Sequence, residues 1–569
     1  MLDAFSAAFH AHFTSCPNER LIKGVATDLG VLPDPSTAGN DARVSNAKKL
    51  LVDAKEIDRD SLGFDDALDL ELAELMLESE IHRRTLAFNG RTQLAQLPCG
   101  GDDVGDGLFL LMANDPRPAE ERLADILARL EAAPTYLSAL LERTDVPVAR
   151  WVAIESEKIA AMPGLLEATV NFAKENSWSE TGRIETAASS AKAALDDYVG
   201  KLGELETTNA LHIGTDAARR LVALQGIEPS LEDLHKLARD FLSETDETLR
   251  ELRGRLAPKY GLDPEIPLAQ LHEFLNAKFA VSPGDDATDF APILGRYTAE
   301  RERVLSFIEE RELFPIIGDQ EMRILATPGF LEPTVPAGAM MAPPPFRDGT
   351  RTSLIYLTIK ADQLDDHTEL GIPGMMIHEG IPGHHLQLAT ASAHPSIIRR
   401  HVSASEHAEG WTTMLEDYML DLGYMGELTD EARFTGKRDL SRIGARVVID
   451  LFFMTGERSF LDVGANCDVS SDDPFEAAGA LLAEVTGFNP GRVQGELNWY
   501  SQERGYPLCY LTGNKLVWQL KEAAARGPSG LSGLDLDRRF HKSYLEAGNM
   551  PLSFLRRVMH HQELIGDIS

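Results

Sequence analysis

Cysteine is scarce: Cys16, Cys99, Cys467 and Cys509 are the only four in 569 residues, and no two of them form a C-x-x-C pair. That spacing argues against a thiolate zinc site and against a secreted disulfide framework. Long hydrophobic runs are missing too, since no stretch approaches the roughly 18 apolar residues of a membrane helix. The start, Met1-Leu-Asp-Ala-Phe-Ser6, has neither the basic nor the apolar segment of a signal peptide. Positive charge is in deficit: 55 Lys and Arg against 90 Asp and Glu leave a formal charge of −35. An acidic surface repels phosphate, which argues against nucleic acid and anionic membrane as partners. A cytoplasmic location is the expectation.

What remains is the composition of a soluble globular protein, 43% apolar and 25% charged, in a chain too long for one small core. Residues 1–320 read as a helical scaffold. Leu123, Ile126, Leu127 and Leu130 recur at helical spacing, and Ser230 stands as an N-cap ahead of Leu231, Leu234, Leu237, Phe241 and Leu242. Similar patterns predict helices over about 150–175, 184–200, 266–279 and 290–312. The texture changes after Pro315. Residues 326–352 are too rich in Pro and Gly for a regular helix, and Ser353–Ile359 reads as a strand. A polar linker, Lys360–Glu369, leads back to helical texture from about 374 to the end. The fold class expected is mainly α with a small β element, divided loosely into regions 1–320 and 321–569.

Chemistry concentrates in the second region. Six of the 16 histidines fall between 378 and 407, in the positions 378, 384, 385, 394, 401 and 407. Within this group, His378-Glu379 is how many zinc hydrolases begin an active-site helix: imidazole binds the metal and the adjacent carboxylate takes the proton of the water. In H-E-x-x-H the second ligand lies one turn on, but that position is Pro382. In a straight helix His384 would be rotated about 120° from His378, and His385 would nearly eclipse it about 10 Å further along. Pro382-Gly383 must disturb such a helix. A two-residue bulge brings His384 into the ligand position, and His385 is the rival. Glu409, followed by Gly410-Trp411 and by Glu416, supplies a third ligand in the manner of the gluzincin E-G-F-x-x-Y-x-E segment, with Met414 in place of Tyr. His394, His401 and His407 are expected to be structural or on the surface.

Together these segments resemble a bacterial family catalogued as domain of unknown function 885. Its hallmark, H-E-x-x-P-G-H-H-x-Q followed by E-G-W, is matched by His378–Gln387 and Glu409–Trp411. Further matches are Pro343–Arg351, Arg442–Asp450, Glu496 through Tyr500 and Tyr510 to Gly513, and Gly548–Leu552. The family is similar to the mainly helical zinc peptidases related to carboxypeptidase Taq, neurolysin and angiotensin-converting enzyme. This resemblance implies a zincin-like architecture with a deep cleft. Trp499, Arg504-Gly505 and Tyr506 depart from the usual family C-terminal segment.

The function implied is a zinc metallopeptidase, carboxypeptidase- or dipeptidase-like, acting on short peptides with one zinc ion. The alternatives are a zinc-dependent amide or ester hydrolase of small metabolites and a non-catalytic peptide- or metal-binding protein. Glu379 is the expected base and Tyr510 the expected oxyanion donor. Tyr500, Tyr506, Arg351 and Arg504 are expected at the substrate, where an Arg fork suits a terminal carboxylate; Arg347 and Arg446 are further candidates. Glu416 and Asp417 are expected to orient the metal-binding imidazoles. The strand at 353–359 is expected to be an edge that pairs with a substrate backbone.

Overall fold

A computed structural model describes residues 1–284, 289–327, 338–360, 364 and 367–566. The chain is mainly helical. Helices α1 (Leu2–Phe13) and α2 (Pro17–Lys23) open it, the second ending at Gly24 in the left-handed region, φ 77°. Helices α3 (Gly100–Ala113), α4 (Ala119–Arg143), α5 (Ala149–Glu175) and α6 (Thr181–Leu202) pack on one another around Leu108, Leu123, Ile126, Leu130, Ile184 and Leu195. The predicted helix after Ser230 is α7 (Leu231–Lys259). Its first turn is closed by a capping box in which Ser230 Oγ accepts from Asp233 N–H and the Asp233 carboxylate accepts from Ser230 N–H. The stretches expected at 266–279 and 290–312 are helices Leu268–Lys278 and Ala291–Glu310.

Strands are few. A hairpin joins β1 (Ala87–Phe88) to β2 (Arg91–Thr92), and a three-stranded sheet holds β3 (Gln320–Ala326), β4 (Gly338–Met341) and β5 (Arg351–Leu357) in the order β3-β5-β4. β5 runs parallel to β3, with Gln320 opposite Arg351, and antiparallel to β4, with Gly338 opposite Leu357. The strand expected as an edge is thus the central one. Its Ser353–Leu357 stretch is buried throughout, which explains why its sequence reads as a continuous apolar run, and β3 and β4 form the two edges. Part of the Pro/Gly-rich stretch, including Pro328, Gly329, Pro333 and Pro336, and part of the linker after Lys360 lie outside the described residues.

Ile355 and Leu357 of β5 pack against Ile372 and Met376 of α8 (Gly371–Glu379), so the sheet is the bed on which the histidine segment rests. Helices α9 (His384–Ser392), α10 (Ile397–His401), α11 (Ser405–Asp421), α12 (Thr429–Thr455), α13 (Pro490–Gln502) and α14 (Cys509–Ala525) follow. The hydrophobic clusters draw on both sequence regions. One joins Phe5, Leu68 and Leu313 to Trp411, Phe540 and Met559, and another joins Trp151 and Leu234 to Val448 and Leu508.

Candidate metal centre

The histidine segment is broken rather than bulged. α8 ends at Glu379, Gly380–Gly383 form a turn, and α9 begins at His384. Glycine is required at 383, because a Cβ there would collide with the carbonyls of Ile377 and His378. The turn is fixed from outside by Trp411, whose indole N–H donates to the Pro382 carbonyl at 2.9 Å. By starting a new helix at 384, the chain turns His384 back towards His378, and their rings sit 4.9 Å apart, edge to face.

α11 brings the carboxylate. Glu409 Oε2 lies 3.7 Å from His378 Nε2 and 3.4 Å from His384 Nε2. One ligand atom from each of the three residues falls within 4.8 Å of the others. Two ligand atoms bound at 2.0–2.1 Å to a tetrahedral ion lie about 3.3–3.5 Å apart, so the donor set suits zinc in type and spacing. The buried Glu409 Oε2 and His384 Nδ1 have no hydrogen-bond partner among the described residues. Glu409 Oε1, by contrast, accepts from the Tyr506 hydroxyl at 2.7 Å. His378 Nδ1 is 2.8 Å from Glu416 Oε1, an arrangement that puts the ring proton on Nδ1 and leaves the Nε2 lone pair for a cation.

The field at this point favours positive charge. Burial opposes a charge on His378, but Glu409, Glu416 and Glu379 outweigh it and push the pKa up to about 10. Burial would raise the Glu409 carboxyl, yet the neighbouring His384 and His378 hold it well below the ordinary range. Glu379 Oε1 is 3.9 Å from His378 Nε2, and its side chain is partly exposed.

His385 lies on the other side of α9. Its Nδ1 is 2.7 Å from Ser353 Oγ on β5, its Nε2 is bonded to Gln320 on β3, and the ring is fully buried. Both nitrogens are therefore committed to the sheet, and burial pushes the pKa down to about 4.

The other sequence-predicted residues divide. The Tyr510 ring stacks under the Arg446 guanidinium at 4.5 Å and meets the Tyr506 ring at 5.9 Å. Its hydroxyl has no hydrogen-bond partner among the described residues, while the charges of Glu409 and Glu379 act on it. Tyr506 supports Glu409 rather than standing free. Tyr500 needs correction as a substrate contact: it is fully buried, accepting from Arg446 Nε at 3.0 Å and donating to Glu496 at 2.6 Å. Arg446 is likewise tied to Glu496, at 2.9 Å, and its task is to brace Tyr510 and Tyr500. Arg504 needs the same correction. It is buried between the Phe88 and Trp151 rings and donates to Gln93 and to the Leu211 carbonyl. Asp417 pairs with Arg433 and Lys437, leaving Glu416 alone beside His378. Arg351 opens β5, where its charge acts on Arg400.

Several supports were not foreseen. Asp450, four residues beyond Arg446, accepts from Gly505 N–H at 3.0 Å and Leu508 N–H at 3.2 Å, anchoring the loop that carries Tyr506. Gly410 and Gly513 allow α11 and α14 to touch backbone to backbone, since a Cβ on Gly513 would collide with the Glu406 carbonyl. The Gly548–Leu552 motif holds the start of α11: Ala404 N–H donates to Asn549 O, His407 bonds Met550 O at 2.8 Å, and Leu552 N–H donates to Glu406. The signal for each was a motif already visible in the sequence; the partner was not.

The fold and site together define a mainly helical protein in which helices α8, α9 and α11 bring together two imidazoles and one carboxylate, with a further carboxylate behind the first imidazole. The chain belongs to the bacterial proteins of unknown function grouped as DUF885, whose family pattern matches residues 17–559. Solved structures share its fold, two of them as follows. One is a "putative lipoprotein of unknown function" from Shewanella oneidensis, 18% identical with a TM-score of 0.75, covering 98% of this chain and 100% of its own. The other, a "putative lipoprotein" from Colwellia psychrerythraea, is 15% identical with a TM-score of 0.79 and covers 99% of both chains. Comparison with curated proteins gave no match.

Proposed function

We propose that the chain is a zinc-dependent hydrolase of short peptides, with His378, His384 and Glu409 holding one zinc ion and Glu379 acting as base. The observation that carries this reading is the approach of both Nε2 atoms to a single Glu409 oxygen that makes no hydrogen bond of its own. Bound there, zinc would supply a Lewis acid and lower the pKa of a water towards 7. Glu379 follows the first ligand directly, is partly exposed, and forms an ion pair only with His378 among the described residues. It is therefore free to take a proton from the attacking water and pass it to the departing amine. A protein that merely bound metal would have no need of a base at this point. Tyr510 presents a free hydroxyl on a ring braced by Arg446, suited to donate to a developing oxyanion, a contribution of about 3–4 kcal/mol at comparable sites.

This reading makes the architecture zincin-like and gluzincin in its ligand set, with H-E-x-x-x-G-H replacing the shorter spacing. On this reading the substrate would lie over α8 and α9, and an edge strand of the sheet, β3 or β4, would be available to pair with a peptide backbone.

The test is a peptide-library digest by the zinc-loaded protein, read by mass spectrometry and repeated with Glu379→Gln at equal zinc content. Cleavage by the native protein, slower by at least about 100-fold in the variant, is the expected outcome. No cleavage, or an unchanged rate in the variant, overturns the reading.

A further inference from the structure

The Pro343–Arg351 motif has no part in the metal chemistry, yet it builds a second concave site. The turn at 343–348 is docked on the end of α2: Phe346 N–H donates to Lys23 O at 2.9 Å. Gly24 sits so close to Pro344 and Arg347 that a Cβ would lie 2.8 Å from each of their Cβ atoms. Between α2, this turn and α10 lies a cavity of about 620 Å³, within the usual range for a small-molecule site. None of its lining residues belongs to the His378–His384–Glu409 cluster.

Its lining combines apolar side chains, Leu21, Leu29, Phe346 and Ile397, with the cations Arg347 and Arg400. Two further lining arginines are already occupied, Arg117 by Asp115 and Asp125, and Arg20 by Asp28 and two carbonyls. Arg347 and Arg400 differ. Arg347 donates to Asn114 at 3.0 Å, and Arg400 to the Pro345 carbonyl at 3.3 Å, and neither has an ion pair among the described residues. Arg400 is stacked over the Phe346 ring at 4.7 Å, with its Nε–H buried and unpartnered. Of the two lining carboxylates, Asp115 is ion-paired with Arg117 and acts on Arg347 only at longer range, and the exposed Asp348 acts on Arg400 without forming an ion pair. Arg351 adds positive charge at Arg400, and burial together with Arg400 and Lys23 disfavours protonation of His10 and His401, which bond each other at 3.0 Å.

Unpaired guanidinium groups in a cavity are unexpected on a chain of charge −35, where carboxylates outnumber cations. We propose that this cavity binds a small organic anion, a carboxylate or phosphate monoester, with Arg347 and Arg400 taking the anionic group and Phe346 and Leu21 its apolar body. Planar guanidinium forks suit both headgroups, and a neutral ligand would leave the cationic wall unsatisfied.

The test is calorimetric titration of the full-length protein with phenyl phosphate, phenylacetate and inorganic phosphate, repeated on Arg347→Met, Arg400→Met and the double variant, with exposed Arg239→Met as control. Saturable binding of an aromatic anion is expected, weakened by at least about tenfold in each cavity variant and unchanged in the control. The tighter aromatic probe assigns the headgroup as phosphate or carboxylate. In the native protein, the bound probe should also slow modification of Arg347 and Arg400 by phenylglyoxal, a readout that needs no variant. Absence of saturable binding, full binding by the double variant, or no protection of either arginine overturns the proposal.

Discussion

The Tyr506 hydroxyl donates to Glu409 Oε1 at 2.7 Å, so the other carboxylate oxygen is left facing His378 and His384. Support of a ligand from behind fixes its orientation and is worth about 10–100-fold in metal affinity at comparable sites. Tyr506→Phe keeps the ring packing on Trp499 and Tyr510 and deletes only the donor. Zinc affinity, read by chelator competition, should fall by about 10–100-fold while the melting temperature in chelator holds. Native affinity in the variant would mean that Glu409 needs no such support.

The crossing of α11 and α14 depends on two glycines. A methyl group at Gly513 must push α14 away from Glu406 and Gly410, so Gly513→Ala should destabilise by about 1–3 kcal/mol or more, as overpacking does. Gly254, within α7, has nothing within 4 Å of its added Cβ, and Ala there should stabilise by about 0.5–1 kcal/mol. Denaturant unfolding of the pair checks both signs, and equal effects would refute the close approach.

Trp411 is stacked on Tyr544 at 4.6 Å and holds Pro382 through its N–H. Trp411→Phe preserves most of the aromatic packing and leaves the buried Pro382 carbonyl unpaired, at a cost of about 1–3 kcal/mol. Stability and zinc content should fall together. Lowered stability with native zinc affinity would detach the turn from the site.

Glu155 gives a pH signature remote from the metal. Burial pushes its carboxyl up to about 7, and Asp102 adds to this, against Lys158 and the N–H of Gly101, which donates at 2.9 Å. In the unfolded chain it titrates near 4.5. Folded protein thus keeps a proton that unfolded protein releases, and its contribution to stability is full below about 4.5 and lost as pH rises to 7. Glu155→Gln cannot titrate, so its stability relative to the native protein should climb between those pH values. A constant difference in melting temperature from pH 4.5 to 7.5 would contradict the assignment.

Helices with clear amphipathic spacing were legible in the sequence, and the capping box at Ser230 marks one start directly. The sheet was half legible. β5 announces itself by β-branched and aromatic residues, whereas Gly338–Met341 has no strand pattern and exists because β5 offers it a partner. His378, Glu379 and Glu409 were nameable from motif and spacing, and His384 was favoured over His385 by a bulge that the structure replaces with a turn between two helices. The choice turns on where the chain re-enters helix after Gly383, and on Ser353 and Gln320 claiming His385. Arg504 misled because an arginine normally seeks solvent or an anion. Its burial between Phe88 and Trp151 is a long-range contact that local sequence does not carry.

The central claim is that His378, His384 and Glu409 hold a metal while His385 belongs to the sheet. Zinc stoichiometry of the purified protein by inductively coupled plasma mass spectrometry, compared with His384→Ala and His385→Ala, tests it most directly. One zinc per native chain is expected, with loss in His384→Ala and retention in a folded His385→Ala, since of these two histidines it is His384 that turns its Nε2 to Glu409. Zinc lost with His385 and kept without His384, or a native chain that binds none, would contradict it.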